Sequence, residues 1–365
     1  MLIAQAPFLR RHSDQVAVSL PLAGALNYAE QCTGEFDMKC WQITSFITAT
    51  AILGSPVIAQ GPPDGSSARE KAIIKADPLF NPRPLVLRRI PKAIGRSTKL
   101  FNGRDLEGWD TWLGLPNAAD TYAGAHGDPI GLNHDEHRVF SVVAEDGAPA
   151  ILANGKVFGG LISKGDYRNY HLHVEFKWGG NTWIDHFPRN NGILYHSQGP
   201  YGAFFKSWMS AVEFEIVPHS VGMILTVGAS RSPMSFQNVD WRVGARTTVG
   251  RDNNIPYPFR RFMPGGRLVP VTAPAFNVEA AVDAEKPIGE WNSLDLYVVG
   301  SRSVHVVNGR PVMVAQDLTI TDRPGGAKRP LSHGRIQLQS EGAETYFRNV
   351  VIEPIARLPR VVPQR

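Results

Sequence analysis

Glu213 and Glu215 are the side chains of this sequence best spaced for acid–base chemistry. They sit in the run Ser210-Ala211-Val212-Glu213-Phe214-Glu215-Ile216-Val217, whose apolar residues alternate with the two acids. That alternation reads as a strand. In a strand, residues i and i+2 share a face, about 7 Å apart along the backbone. Two carboxyls so placed are what glycosidic cleavage uses, one as acid and the other as base or nucleophile. Repulsion between them raises one pKa and readies that group as an acid. Rotamers reach either carboxyl separation, so the stereochemical course stays open. The structural alternative is a solvated strand face, or a glutamate paired to Arg189 or Lys206.

Other polar clusters carry weaker signals. His171, His173 and Glu175 share one face of an alternating strand, and His-x-His can hold a metal when His196 or His219 adds a third ligand. A polar outer face explains the same residues, and this reading is preferred. Asn133-His134-Asp135-Glu136-His137 reads as a capped turn. Neither matches a named metal signature, and no metal is assigned. Trp178, Trp183, Tyr195, Tyr201 and Trp208 flank the acidic strand, and aromatic faces stack on sugar rings. Trp178 lies on an apolar strand face and reads as core. Trp208 is the better platform, and 199–203 reads as an adaptable cleft loop. There is no nucleophile elbow, phosphate loop or dinucleotide fingerprint.

The elements that must position these groups are strands. Leu172, Val174, Phe176 and Trp178 alternate with His171, His173, Glu175 and Lys177, so one face is apolar. Further strand signals fall at 139–143, 157–163, 192–196, 221–227 and 294–298. Asn308-Gly309 lies between two apolar runs, the strongest short hairpin signal, because a type I′ turn needs φ > 0 at both positions. Gly (35) and Pro (28) suit many turns, and a hydrophobic fraction of 43% fills a core. No sustained amphipathic helix occurs. The pattern predicts an all-β sandwich or jelly roll of two antiparallel sheets with long loops, residues 228–290 supplying loops over it with a few strand signals, at 239–243 and 268–271. A formal charge of +5 with no dense Lys/Arg block argues against nucleic acid as a partner.

Upstream, Met38-Lys39 precedes an apolar stretch from Trp41 to Leu53, then Val57-Ile58-Ala59. This is the pattern of a signal peptide over 38–59, cleaved after Ala59 and starting at Met38. On that reading residues 1–37 are a non-translated or disordered extension, and both cysteines (Cys32 and Cys40) are lost on export. A secreted or periplasmic protein follows. The apolar stretch is too short and too interrupted for stable membrane insertion. Residues 60–98 read as a Pro-rich linker or arm, 99–356 as the compact domain, and 357–365 as a tail.

The domain resembles the 3-keto-disaccharide hydrolase family, a concanavalin-like β-sandwich family formerly described as a domain of unknown function. The resemblance runs from Leu100-Phe101-Asn102-Gly103-Arg104-Asp105-Leu106-Glu107-Gly108-Trp109 through Gly160-Leu161-Ile162-Ser163-Lys164-Gly165-Asp166-Tyr167 and Asn190-Asn191-Gly192-Ile193-Leu194-Tyr195-His196. It continues through Val212-Glu213-Phe214-Glu215-Ile216, Trp291-Asn292, Asn308-Gly309, 336–342 and Phe347-Arg348-Asn349. The family commonly has Gln where Glu215 stands, an acid where Met223 stands, and Arg where His196 stands. The resemblance implies cleavage of glycosidic bonds in 3-keto-disaccharides or related glycosides, by hydrolysis or by elimination and hydration. Elimination needs a base (Glu213 or Glu215), an enolate stabiliser (His196, Lys164 or Arg189) and an acid for the leaving group. Lys164, Arg189, Asn191, Tyr201 and Trp208 are expected to bind the carbohydrate substrate, and His196 to join the two glutamates in catalysis. No cofactor is required by this route, although a divalent cation is compatible with it. The alternative function is a non-catalytic, lectin-like carbohydrate-binding module.

Overall fold

The computed structural model describes residues 84–122, 127–184, 189–228, 241–250, 260–272, 276–323 and 325–364. All lie in one compact unit, Ile58–Arg365. The expected extension and signal peptide, and the arm up to residue 83, fall outside them. Among the described residues no helix is long and apolar enough to cross a membrane.

The chain order begins with β1 (Leu85–Arg88), β2 (Thr98–Lys99), β3 (Trp109–Leu113), a short helix α1 (Ala118–Tyr122), β4 (Gly131–Leu132), β5 (Phe140–Glu145), β6 (Ala148–Ala153) and β7 (Gly159–Ser163). It continues with β8 (Tyr170–Thr182), β9 (Asn191–Gln198), β10 (Ser210–Ile216), β11 (Ile224–Val227), β12 (Arg242–Val249), β13 (Arg267–Val271) and β14 (Asn277–Val278). Last come β15 (Asn292–Val299), β16 (Arg302–Val307), β17 (Arg310–Thr321), β18 (Arg329–Pro330), β19 (Arg335–Ser340), β20 (Ala343–Pro354) and β21 (Arg360–Pro363). All strands but β1 and β21, which pair as a separate two-stranded sheet, form a jelly-roll β-sandwich of two antiparallel sheets. The front sheet has the order β14-β11-β10-β9-β19-β7-β3-β4, and the back sheet β13-β12-β17-β16-β15-β8-β20-β6-β5.

Alternation decides which faces turn inward. Leu172, Val174, Phe176 and Trp178 of β8 pack with Leu294, Leu296 and Val298 of β15 on the inner back face, all at 2% exposure or less. Opposite them stand Ile193, Tyr195, Val212, Phe214 and Ile216 of the front sheet. Each buried side chain of this size contributes roughly 1.5–3 kcal/mol, so a one-residue slip would expose the whole set. Phe214 stacks on His305 of β16, ring centroids 4.5 Å apart, which fixes the front strand against the back sheet. The hairpin at Asn308-Gly309 has φ of 49° and 76°, the type I′ signature.

The segment read as an arm contains β1, which pairs with β21 in the segment read as a tail. Leu87, Leu358 and Val361 pack on Tyr297, Val304, Val306 and Ile355, covering part of the outer back face. Beside that cover lie His171 and His173, whose Nε2 and Nδ1 reach the same Asp295 oxygen at 2.8 and 2.9 Å. Burial alone would raise the Asp295 pKa, but the two imidazoles hold it down, at about 2. The expected polar outer face is thus an ionic one.

Candidate active site

β10 lies inside the front sheet, between β9 and β11. Val212, Phe214 and Ile216 face the core, so Glu213 and Glu215 must face away from the back sheet. That face is not solvated here: Glu213 is 3% and Glu215 2% exposed. In register with Glu213 stand Leu194 on β9 and Leu225 on β11, both buried. Gly192 lies opposite Glu215. A Cβ at Gly192 would sit 2.0 Å from Glu213 Oε1 and 2.6 Å from Gln339 Oε1. The glycine is therefore what lets the Glu213 side chain lean across β9 towards Gln339 of β19.

Two further buried acids join them. Glu341 follows β19 on the face of Gln337 and Gln339, and Asn190 bridges to it. Glu279 is brought in beyond β14, with Ser220 Oγ donating to its carboxylate at 2.5 Å. Desolvation is the main cause pushing both Glu213 and Glu215 well above the usual carboxylate range. The charge of Glu341 adds to the rise at Glu213, and those of Glu213, Glu341 and Glu279 to the rise at Glu215. Hydrogen bonds from Gln339 to Glu213 and from Asn190 to Glu215 work the other way. Among the described residues, Glu213 Oε1 and Glu215 Oε2 have no hydrogen-bond partner. A low-dielectric cluster of this kind resists ionisation, which favours the protonated forms of Glu213 and Glu215. No group of three or more His, Cys, Asp or Glu side chains among the described residues is arranged to hold a metal.

The other expected site residues are dispersed. His196 is a correction: β9 carries a bulge there, with shifted register to both β10 and β19 and φ of 53° at His196. The extra residue breaks the alternation. It turns the imidazole against Tyr170 and Tyr195, 0% exposed, away from the glutamates. Burial lowers its pKa to about 3, so it is a neutral core side chain. Asn191 also points inward, donating to Thr345 Oγ1 at 3.0 Å and accepting from Gly192 N at 2.8 Å, which makes it a strand-locking residue. Trp208 is 1% exposed, stacks on Phe158 at 5.7 Å and donates to Gly159 O at 2.8 Å. With its ring packed inside, it is no sugar platform.

Lys164 and Tyr201 meet elsewhere, around Asp110. Glu213, Leu194, Gln337, Ile162 and Asp110 form one row across five strands. Asp110 is thus about 19 Å from Glu213 along the sheet. There Tyr201 O–H donates to Asp110 at 3.1 Å and accepts from Arg335 at 2.5 Å, and Lys164 lies 3.7 Å from Asp110. Trp112 and Arg335 both stack on the Tyr201 ring, which makes Tyr201 a fastener of its loop. Arg189 donates to Gly179 O at 2.9 Å and Gly180 O at 3.4 Å, one residue from the site residue Asn190.

Sequence reasoning missed Glu341, Gln339, Glu279 and Asn190. The alternation of Gln337, Gln339 and Glu341 with Ile336, Leu338 and Ser340 was the available signal for the first two. Nothing local marks Glu279, which reaches the site by chain crossing.

The family profile of the 3-keto-alpha-glucoside-1,2-lyase-like domain matches residues 96–353. A search of curated proteins finds no match. Among solved structures, a provisionally assigned glycosyl hydrolase from Parabacteroides distasonis ATCC 8503 is similar, with 18% identity and a TM-score of 0.37, covering 71% of this chain and 94% of that one. A carbohydrate binding module from Bacillus subtilis is similar at 11% identity and a TM-score of 0.32, covering 59% of this chain and 91% of that one. Neither likeness bears on activity. The profile match takes in most of the chain and every residue of the acidic cluster, and the chain belongs to the 3-keto-alpha-glucoside-1,2-lyase-like family.

Proposed function

We propose that this protein cleaves the glycosidic bond of 3-keto glycosides, disaccharides among them, by elimination followed by hydration. Family membership supports a carbohydrate-directed function at the coarser level. The observation that carries the finer reading is the buried pair Glu213 and Glu215, held in a field of like charges. In such a field ionising one carboxyl raises the cost of ionising its neighbour, so an acid can stand beside a base, which is what elimination needs. Glu213 and Glu215 repel each other equally, and we assign Glu213 as the base and Glu215 as the proton holder.

The 3-keto group acidifies the proton on C2. Glu213 takes that proton, the C2–H pair forms the C1–C2 double bond, and the C1–O bond breaks towards the leaving oxygen. Glu215 protonates that oxygen, releasing the alcohol. Water then adds across the double bond: Glu215, now ionised, takes a proton as the hydroxyl bonds to C1, and Glu213 returns its proton to C2. The protein ends in its starting state with no net electron transfer. At 2–3% exposure neither carboxyl meets a sugar in this conformation, so the proposed reaction requires the site to open.

The test uses 3-keto trehalose and unmodified trehalose with wild type and Glu213→Gln, following glucose release. Release from the keto sugar alone, abolished in a variant that still folds, is expected. Release from plain trehalose, or turnover surviving in Glu213→Gln, refutes the mechanism.

A further inference from the structure

Trp183 is 43% exposed, while Trp109, Trp178 and Trp208 are buried. Exposure alone is ordinary for a single apolar side chain, and it is the fixed position of this ring that sets it apart. This ring is held firmly. Its backbone N–H donates to Gly342 O at 2.9 Å, and its indole N–H to Asn154 O at 2.5 Å. Asn154 is itself fixed, its side chain donating to Arg138 O at 3.0 Å and its backbone N–H to Val139 O at 2.8 Å. A ring anchored at both ends has already lost the freedom that binding would otherwise cost. The Lys156 ammonium lies over one face, 4.5 Å from the centroid.

Its position ties it to the acidic cluster. Gly342 follows Glu341, and Asn190, which bonds Glu215, bridges to both Glu341 and Gly342. Trp183 and Asn190 thus flank the same short stretch, about 10 Å apart by two strand spacings. Two residues before Trp183 in the chain, Asn181 is exposed and donates to Glu344 at 2.7 Å, so polar groups stand on the adjoining end of the strand.

We propose that Trp183 is a stacking platform for the leaving sugar ring of a two-ring substrate. This rests on the reading that Glu213 and Glu215 cleave the bond. The ring being transformed must reach the buried carboxyls, which leaves the second ring at the rim. The apolar C–H face of a pyranose matches an indole face, and hydroxyls at its edge meet the neighbouring amide and carboxylate. A single-ring glycoside does not reach this platform.

Wild type, Trp183→Ala and Trp183→Tyr are titrated calorimetrically with unmodified trehalose. KM is measured for 3-keto trehalose and for methyl 3-keto-glucoside. Trp183→Ala is expected to weaken trehalose binding and raise KM for 3-keto trehalose about threefold to tenfold. The methyl glycoside KM and both kcat values stay unchanged, and Trp183→Tyr recovers most of the loss. Trehalose binding equal to wild type in Trp183→Ala overturns the platform, as does an equal KM rise for both substrates. Trehalose that fails to saturate wild type overturns it too. If no keto sugar is cleaved at all, the catalytic reading fails while the trehalose titration still decides Trp183.

Discussion

Gly192→Ala is the sharpest probe of the site, because it adds one methyl group beside one carboxyl. The new Cβ would lie 2.0 Å from Glu213 Oε1, 2.6 Å from Gln339 Oε1 and 2.9 Å from Glu213 Cδ. Ordinary contact begins near 3.4 Å, so the Glu213 carboxyl has to retreat by about 1.4 Å or its strand has to shift. Two energies oppose each other. Replacing Gly inside a strand gains roughly 0.5–1 kcal/mol of backbone entropy. Overpacking a buried site costs about 1–3 kcal/mol. The balance is a net loss of about 1 kcal/mol, which lowers the melting midpoint by roughly 3 °C for a domain of this size. Activity should suffer far more, since displacing a catalytic group by about 1 Å reduces rate on the order of 100-fold. The assay is glucose release from 3-keto trehalose alongside a thermal melt. Gly180→Ala is the control, with nothing within 4 Å of its added Cβ. Wild-type turnover in a folded Gly192→Ala protein would refute the assignment of Glu213.

Glu213 and Glu215 have raised pKa values in the fold, so the folded protein keeps protons that the unfolded chain releases above about 4.5. Their contribution to stability is complete below that pH and is lost as pH rises through the folded values. Urea unfolding from pH 4 to 8 should show a shallower decline in Glu213→Gln than in wild type, and identical slopes would count against a coupled acidic cluster. Trp208→Ala should destabilise by about 3–5 kcal/mol in denaturant melts, since it removes a ring that is 1% exposed; a folded variant with only weakened sugar binding would restore the platform reading. Asp295 is held at about 2, against 3.8 when unperturbed, by His171 and His173. Its contribution is present above pH 3.8 and lost as pH falls through about 2. Asp295→Asn should therefore cost about 2 kcal/mol near pH 5, measured by chemical unfolding, and a loss independent of pH would point to packing instead.

The sandwich was legible because its code is local. The alternation of Leu172, Val174, Phe176 and Trp178 assigns the inner face without knowledge of any partner strand, and Asn308-Gly309 names its own turn. The two glutamates were legible for the same reason, as an i, i+2 pair. What turns them into a site was not local. Glu341, Gln339 and Glu279 arrive by pairings from distant parts of the chain, and β9 is bulged at His196, which defeats any count by twos. A strand reading of residues 210–217 leaves Glu213 and Glu215 on a solvated face, because Val212, Phe214 and Ile216 account for the core. Burial of the acids is written instead in their cross-strand neighbours: Leu225 and Leu194 flank Glu213, and Gly192 makes room for it. Desolvation, the largest cause of both raised pKa values, therefore belongs to β9 and β11 as much as to β10. It follows that the chemistry is tuned by apolar neighbours that never touch a proton. Leu194→Ser or Leu225→Ser, which leave every carboxyl in the sequence, should shift the acid limb of the rate–pH profile, set by the base Glu213, down towards ordinary carboxylate values, and an unmoved profile would mean that charge repulsion alone sets that base.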